Sequence, residues 1–184
     1  MLSVSKSNSY EIMRGYDVDS IENSFDDSNN SKRDDQELFS YNDLSRRDMR
    51  SLIFNLLYMA EVFDYQESLE AIVDNFNRGF NLDIPCDSKV FTVAQAIIKD
   101  HSLLDKIYQP LLTNWRLERV SMCTKLILRF GIWELINTSL DQRIIINEAI
   151  ELTKCFAEEG AYRFVNGILD RVAQERLPKK ISNL

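Results

Sequence analysis

INEAIELTKCFAEEGAYRFVNGILDRVAQE, residues 146–175, decides the fold. Its apolar side chains recur in two series of three- and four-residue steps. Ile146, Ala149, Ile150, Thr153 and Phe156 make the first, and Phe164, Val165, Ile168, Leu169 and Val172 the second. Such steps put side chains on one face of an α-helix, because 3.6 residues complete a turn. Glu158, Glu159 and Gly160 interrupt the pattern. The spacing therefore predicts two neighbouring amphipathic helices, over 143–157 and 160–175. Gly167, in the middle of the second, costs that helix about 1 kcal/mol. A close helix–helix crossing would account for it; a local kink is the alternative.

The same period extends upstream. Leu52, Ile53, Leu56, Leu57, Ala60 and Phe63 form one stripe over 46–63, and Ser45 with Asp48 is a capping pair for its start. A second helix is expected near 65–78, opened by Asp64 and Glu67 and closed by Gly79. A third is expected over 88–100. Ser102 and Asp105 would open a short fourth before Pro110, and a fifth is expected over 117–137 with Val120, Cys123, Ile127, Phe130 and Trp133/Glu134 on its inward face. Seven helices with only five Gly and three Pro in 184 residues argue for an all-α bundle and against a sandwich or barrel, which needs many tight turns.

Charge divides the chain. Residues 1–44 carry ten acidic and four basic side chains, whereas the remainder is nearly balanced, with 19 acidic and 18 basic. The first part is rich in Ser, Asn and Asp and has no sustained apolar period, so it is read as an acidic disordered tail. Its aromatics Tyr10, Tyr16, Phe25, Phe39 and Tyr41 are candidate docking points for a partner, or simply part of an unconstrained extension. Residues 45–176 make the helical domain and 177–184 a short C-terminal tail. The opening MLSVSKSNS lacks an apolar signal stretch and no run is long enough to span a bilayer, so export and membrane insertion are not expected. Cys86, Cys123 and Cys155 form no paired spacing and are read as free thiols in a reducing, cytoplasmic setting.

Enzyme signatures are missing from the sequence. There is no GxGxxG, P-loop or HExxH, no metal-ligand spacing, and a single histidine, His101, placed at a helix junction in a capping or surface role. No catalytic residue, metal or cofactor is expected. Arg46, Arg47 and Arg50 instead cluster at the start of the first helix, with Arg46 and Arg50 one turn apart. Guanidiniums at a helix N-terminus suit phosphate. The alternative is a solvated basic turn paired with Asp43 and Asp48. Tyr58, further along, is either a base-stacking platform or a core-edge tyrosine.

Three segments carry a family resemblance: SRRDMRSLIFNLLYMAEV at 45–62, the stretch from Pro110 through ILRFGIWELI at 127–136, and the INEAIEL and FVNGILD blocks within 146–175. With these, the chain resembles the NusB family of bacterial transcription antitermination factors. The resemblance implies a seven-helix fold of two helical subdomains. It implies a non-catalytic RNA-binding protein that pairs with the ribosomal protein NusE, binds boxA-type RNA, joins an antitermination complex on RNA polymerase and supports rRNA transcription. A homodimer stays open as an oligomeric state. By position, Arg46, Arg47 and Arg50 match the family's RNA-contacting arginines and Tyr58 its aromatic. Asn147, Glu148, Phe164, Asn166 and Gly167 match the signature blocks and are read as mainly structural, with buried amides tying the last two helices together.

The chain also departs from the family. Asp48 stands where a further arginine is frequent, Gly160–Ala161 replaces an Asp-Ser cap of the last helix, and the acidic tail lies outside the family pattern. These departures keep a second function open: a protein–protein adaptor with the same fold and weak or lost RNA binding.

Overall fold

A computed structural model describes residues 39–112 and 119–176. Most of the expected tail, the C-terminal stretch 177–184 and the expected start of a helix at 117 lie outside the described residues. The described part is all-α apart from one pair of two-residue strands. No described helix is long and apolar enough to cross a membrane.

α1 (Arg46–Val62) begins where the sequence places it. Ser45 Oγ accepts from the Asp48 amide at 3.2 Å, and the Asp48 carboxylate accepts from the Ser45 amide at 3.0 Å. This reciprocal box satisfies two amides that an uncapped helix leaves bare. Asp48 is therefore the residue whose carboxylate holds the cap.

α2 (Leu69–Phe80) differs from expectation at both ends. Asp64 and Tyr65 adopt positive φ in the turn after α1, and Ser68, not Asp64, caps the helix. Gly79 lies inside it, and Asn81, at φ 52°, takes the left-handed closing position. Asn tolerates that conformation better than most residues. Asn77 then fixes the exit, its side chain accepting from the Ile84 amide at 2.8 Å and donating to the Ile84 carbonyl at 3.2 Å.

Past that exit, β2 (Leu82–Asp83) pairs in parallel with β1 (Phe39–Ser40). Tyr41 and Leu44 pack against the core. The last residues of the expected tail therefore belong to the body, and Tyr41 docks on its own chain.

The expected third and fourth helices are one, α3 (Lys89–Tyr108), capped by Ser88. Ser102 and Asp105 start nothing. Asp105 is engaged by Arg129 and Tyr108, and His101 bonds the Ile98 carbonyl at 2.7 Å and stacks on Tyr65 with ring centres 4.4 Å apart. Pro110 does end the helix, in a 3-10 turn over Gln109–Leu111. α4 (Met122–Asn137), α5 (Gln142–Phe156) and α6 (Ala161–Arg176) complete six α-helices among the described residues.

α1, α2 and α3 pack together, as do α4, α5 and α6, and α4 joins the two sets through α1 and α3. α4 is consequently buried nearly all round. Leu126, Ile127, Leu128, Phe130, Ile132 and Leu135 are all inside, in place of the single inward face read from the sequence. Glu158 is exposed between α5 and α6. Its carboxylate accepts from Ser121 Oγ at 2.6 Å, tying that loop to the start of α4.

The close crossing expected at Gly167 is at Gly131 instead. A Cβ on Gly131 would stand 2.9 Å from a methyl of the fully buried Leu169 and 3.7 Å from the Ala149 methyl, so any side chain there forces the Leu169 methyls to shift where α4 meets α5 and α6. A Cβ on the exposed Gly167 would meet nothing within 4 Å. Gly131→Val is therefore expected to destabilise by about 2 kcal/mol or more through overpacking and β-branching. Gly167→Ala is expected to stabilise by about 0.5–1 kcal/mol. Urea unfolding of the two variants beside the parent checks the opposite signs.

Candidate nucleic-acid interface

The capping box places the first turn of α1 at the edge of the bundle, and Arg46 and Arg47 are exposed there. Arg50 is not. Residues four apart on a helix are rotated by about 40° and displaced by one turn. That step carries Arg50 from the rim to the inside, between α4 and α5. Its guanidinium donates to Glu134 at 2.9 and 3.4 Å and lies 3.8 Å from a Glu148 oxygen. The three-arginine patch read from the sequence is thus a pair at the surface and a third in a buried ion pair. Burial raises the Glu134 carboxyl above the usual carboxylate range, and the charge and hydrogen bonds of Arg50 hold it back.

Tyr58 is half-buried against the core, its ring 6.4 Å from that of Phe54. Phe54 in turn stacks on Phe156 at 4.5 Å, which clamps α1 to the end of α5. Among the signature residues, Glu148 faces Arg50. Asn147 is exposed, contrary to the expectation of a buried amide. The half-buried Asn166 donates to Asp170 of its own helix at 3.2 Å, so this amide bond stays within α6. Phe164 packs partly buried against the core.

The bundle adds cations that no local cluster in the sequence announces. Lys154 on α5 bonds Glu151 at 2.7 Å and lies 6.0 Å from the centre of the Tyr162 ring; Arg163 on α6 lies 5.6 Å from the same ring. The Lys154 hydrogen bond, with the charges of Lys154 and Arg47 adding to it, holds the Glu151 carboxyl below its ordinary range. Arg47, Lys154 and Arg163 come from three helices, so only the folded chain relates them. Among the described residues, no group of three or more His, Cys, Asp or Glu is placed to hold a metal ion.

A second ionic site lies away from this surface. Arg129 of α4 is buried and grips Asp105 of α3 with two bonds of 2.8 Å. It also bonds Glu61 of α1 and, at 2.8 Å, the Tyr65 hydroxyl, which itself donates to Glu61. Tyr108 donates to Asp105 at 3.0 Å. Burial raises the Glu61 carboxyl, but hydrogen bonds from Tyr65 and Arg129 and the Arg129 charge outweigh it, leaving the group below its ordinary value. The legible signal for this site is a charge inside the apolar run ILRFGIWELI: an arginine there needs buried partners.

These features define a small all-α protein with two three-helix sets locked together through ionic bonds made by Arg50 and Arg129. The model of the NusB family matches residues 47–174; the chain belongs to that family. It is 31% identical over 134 residues to the transcription antitermination protein NusB of Staphylococcus epidermidis, covering 70% of this chain and 98% of that one. Against the protein of the same name from Fervidobacterium nodosum, identity is 34% over 140 residues, covering 76% and 97%. Among solved structures, NusB of T. maritima matches with a TM-score of 0.61 and 34% identity, over 74% of this chain and 95% of that chain. NusB from Aquifex aeolicus matches with a TM-score of 0.55 over 75% and 98%; at 22% identity it supports the fold alone.

Proposed function

We propose that this chain is a non-catalytic, RNA-binding transcription antitermination factor of the cytoplasm. In this reading it pairs with the ribosomal protein NusE, binds boxA-type RNA, joins the antitermination complex on RNA polymerase and supports rRNA transcription. The observation that carries the reading is the exposed Arg46–Arg47 pair, held at a capped helix start in a chain of this family. Guanidiniums there meet phosphate with charge-assisted hydrogen bonds, and the helix N-terminus adds its own attraction for anions. The names of the relatives agree with the role.

The test is co-purification with NusE, followed by titration of a boxA-type RNA across salt concentrations. The complex is expected to bind, with log affinity falling linearly as log salt rises, because each neutralised phosphate releases counterions. Two observations keep the adaptor reading in play: Arg50 is withdrawn from the surface, and the Asp48 carboxylate lies within the arginine turn. A stable NusE complex with no RNA affinity at any salt concentration would favour the adaptor.

A further inference from the structure

We propose that the segment Phe39–Leu44 is a brace that positions the Arg46–Arg47 turn for RNA; the effect on RNA, though not the brace itself, rests on the RNA-binding reading above. The first turn of a helix is its least secured part, because its leading amides have no partners within the helix. In α1 that turn carries the exposed arginines at the edge of the bundle. The residues just before it hold it. β1 pairs in parallel with β2, Phe39 opposite Leu82 and Ser40 opposite Asp83. A 3-10 turn over Tyr41–Asp43 follows, and the Leu44 amide donates to the Tyr41 carbonyl at 3.3 Å. Tyr41, Leu44 and Met49 all pack against the core. Leu44 directly precedes the Ser45 cap and Met49 lies four residues beyond it. These are the two positions of a hydrophobic staple, which fixes the angle at which the chain enters a helix.

β2 is itself anchored, because Asn77 of α2 bonds both the amide and the carbonyl of Ile84, the next residue. A line of support therefore runs from α2 through β2 and β1 to the capping box of α1. The placement of the turn matters because the cations of this surface come from three helices. The Arg47 charge reaches Glu151 of α5, the residue that Lys154 bonds. A first turn free to fray would align Arg47 with Lys154 and Arg163 only part of the time. Apparent affinity falls with the fraction of molecules in the competent arrangement.

Two variants of the full chain test this. Leu44→Ala removes the packed side chain before the cap. Phe39→Pro with Ser40→Pro removes the amides that β1 can give to the ladder. All three substitutions lie outside the α-helices, and every arginine is kept. Hydrogen exchange followed by NMR reads the brace without RNA. The Met49 amide bonds the Ser45 carbonyl at 3.0 Å, and the Ile145 amide bonds the Asp141 carbonyl at 3.2 Å, the same position after the cap of α5. Met49 is expected to exchange roughly tenfold faster in both variants, with Ile145 unchanged. The second measurement is affinity of the NusE complex for a boxA-type RNA. Both variants are expected to bind roughly three- to tenfold more weakly at ~0.1 M salt. The slope of log affinity against log salt is expected to match the parent's, since no phosphate contact is removed. Leu44→Met, which keeps the volume, should restore both readings.

Unchanged exchange at Met49 overturns the brace, and so does equal acceleration at Met49 and Ile145, which would make the segment a support of the whole body. Faster exchange at Met49 alone with equal RNA affinity overturns the positioning role, as does a reduced salt slope, which would mean that the segment carries phosphate contacts of its own. Faster exchange at Met49 alone with no RNA binding by parent or variants upholds the brace and removes the RNA-binding reading instead.

Discussion

Arg129→Met is expected to lower the unfolding free energy by about 3–5 kcal/mol, the cost of breaking a buried ion pair from one side. The loss is large because Arg129 serves three elements. Its side chain closes on Asp105 of α3 with two bonds of 2.8 Å, on Glu61 near the end of α1, and on Tyr65 in the turn that follows. Methionine fills much of the volume but leaves two carboxylates facing each other without a cation. Urea unfolding gives the size of the effect.

Adding Glu61→Gln and Asp105→Asn to Arg129→Met removes the stranded charges and is expected to recover part of the loss. A triple variant no more stable than the single one would show that the arginine's packing, not its charge, holds the site. The parent's pH dependence has a defined sign. Glu61 sits below its ordinary value of 4.5, so its contribution is present above that pH and is lost as pH falls through the lowered folded value. The gap between parent and variant is therefore expected to narrow in acid.

Local signals in the chain are legible wherever one helix speaks for itself. Ser45 with Asp48 marks the start of α1 correctly because both capping partners lie within four residues. α5 and α6 fall within one residue of their expected bounds, since their apolar stripes are regular and one short break separates them. α3 reads as two helices in the sequence because Ser102 and Asp105 resemble a cap. Nothing at 100–102 breaks a helix, however, and Asp105 is recruited by an arginine 24 positions away. Asn81 closes α2 where Gly79 looks the better stop, because the turn is fixed by the side chain of Asn77.

The residues that decide the site are less legible. Spacing alone puts Arg46 and Arg50 on one face, but which part of that face is roofed over depends on Glu134, 84 positions from Arg50 in sequence. Gly131 and Gly167 look alike in sequence; only the placement of Leu169 separates the glycine the packing requires from the one it does not. The Arg and Glu of the α4 run ILRFGIWELI stand out in the sequence as charges among apolar residues, without showing what they pair with. In the fold they are Arg129 and Glu134, the α4 members of the two buried ionic sites.

The surface pair and the buried arginine are expected to respond in opposite ways. Arg46→Ala with Arg47→Ala removes two exposed guanidiniums, so stability should change by no more than about 0.5 kcal/mol. RNA affinity of the NusE complex should fall about tenfold or more near ~0.1 M salt, with the slope of log affinity against log salt reduced by about one to two. Arg50→Ala should cost about 3 kcal/mol of stability, because Glu134 stays buried without its cation. Glu134 already titrates high through burial and would rise further once Arg50 is gone, holding its proton in the folded state and losing it in the unfolded one. The deficit of that variant should be largest near neutrality and shrink as pH falls. Affinity measured well below its melting temperature should stay close to that of the parent. Loss of RNA affinity in a fully folded Arg50→Ala protein, with none in the double variant, would move the interface away from the α1 turn and toward the α4–α5 face where Arg50 meets Glu134 and Glu148.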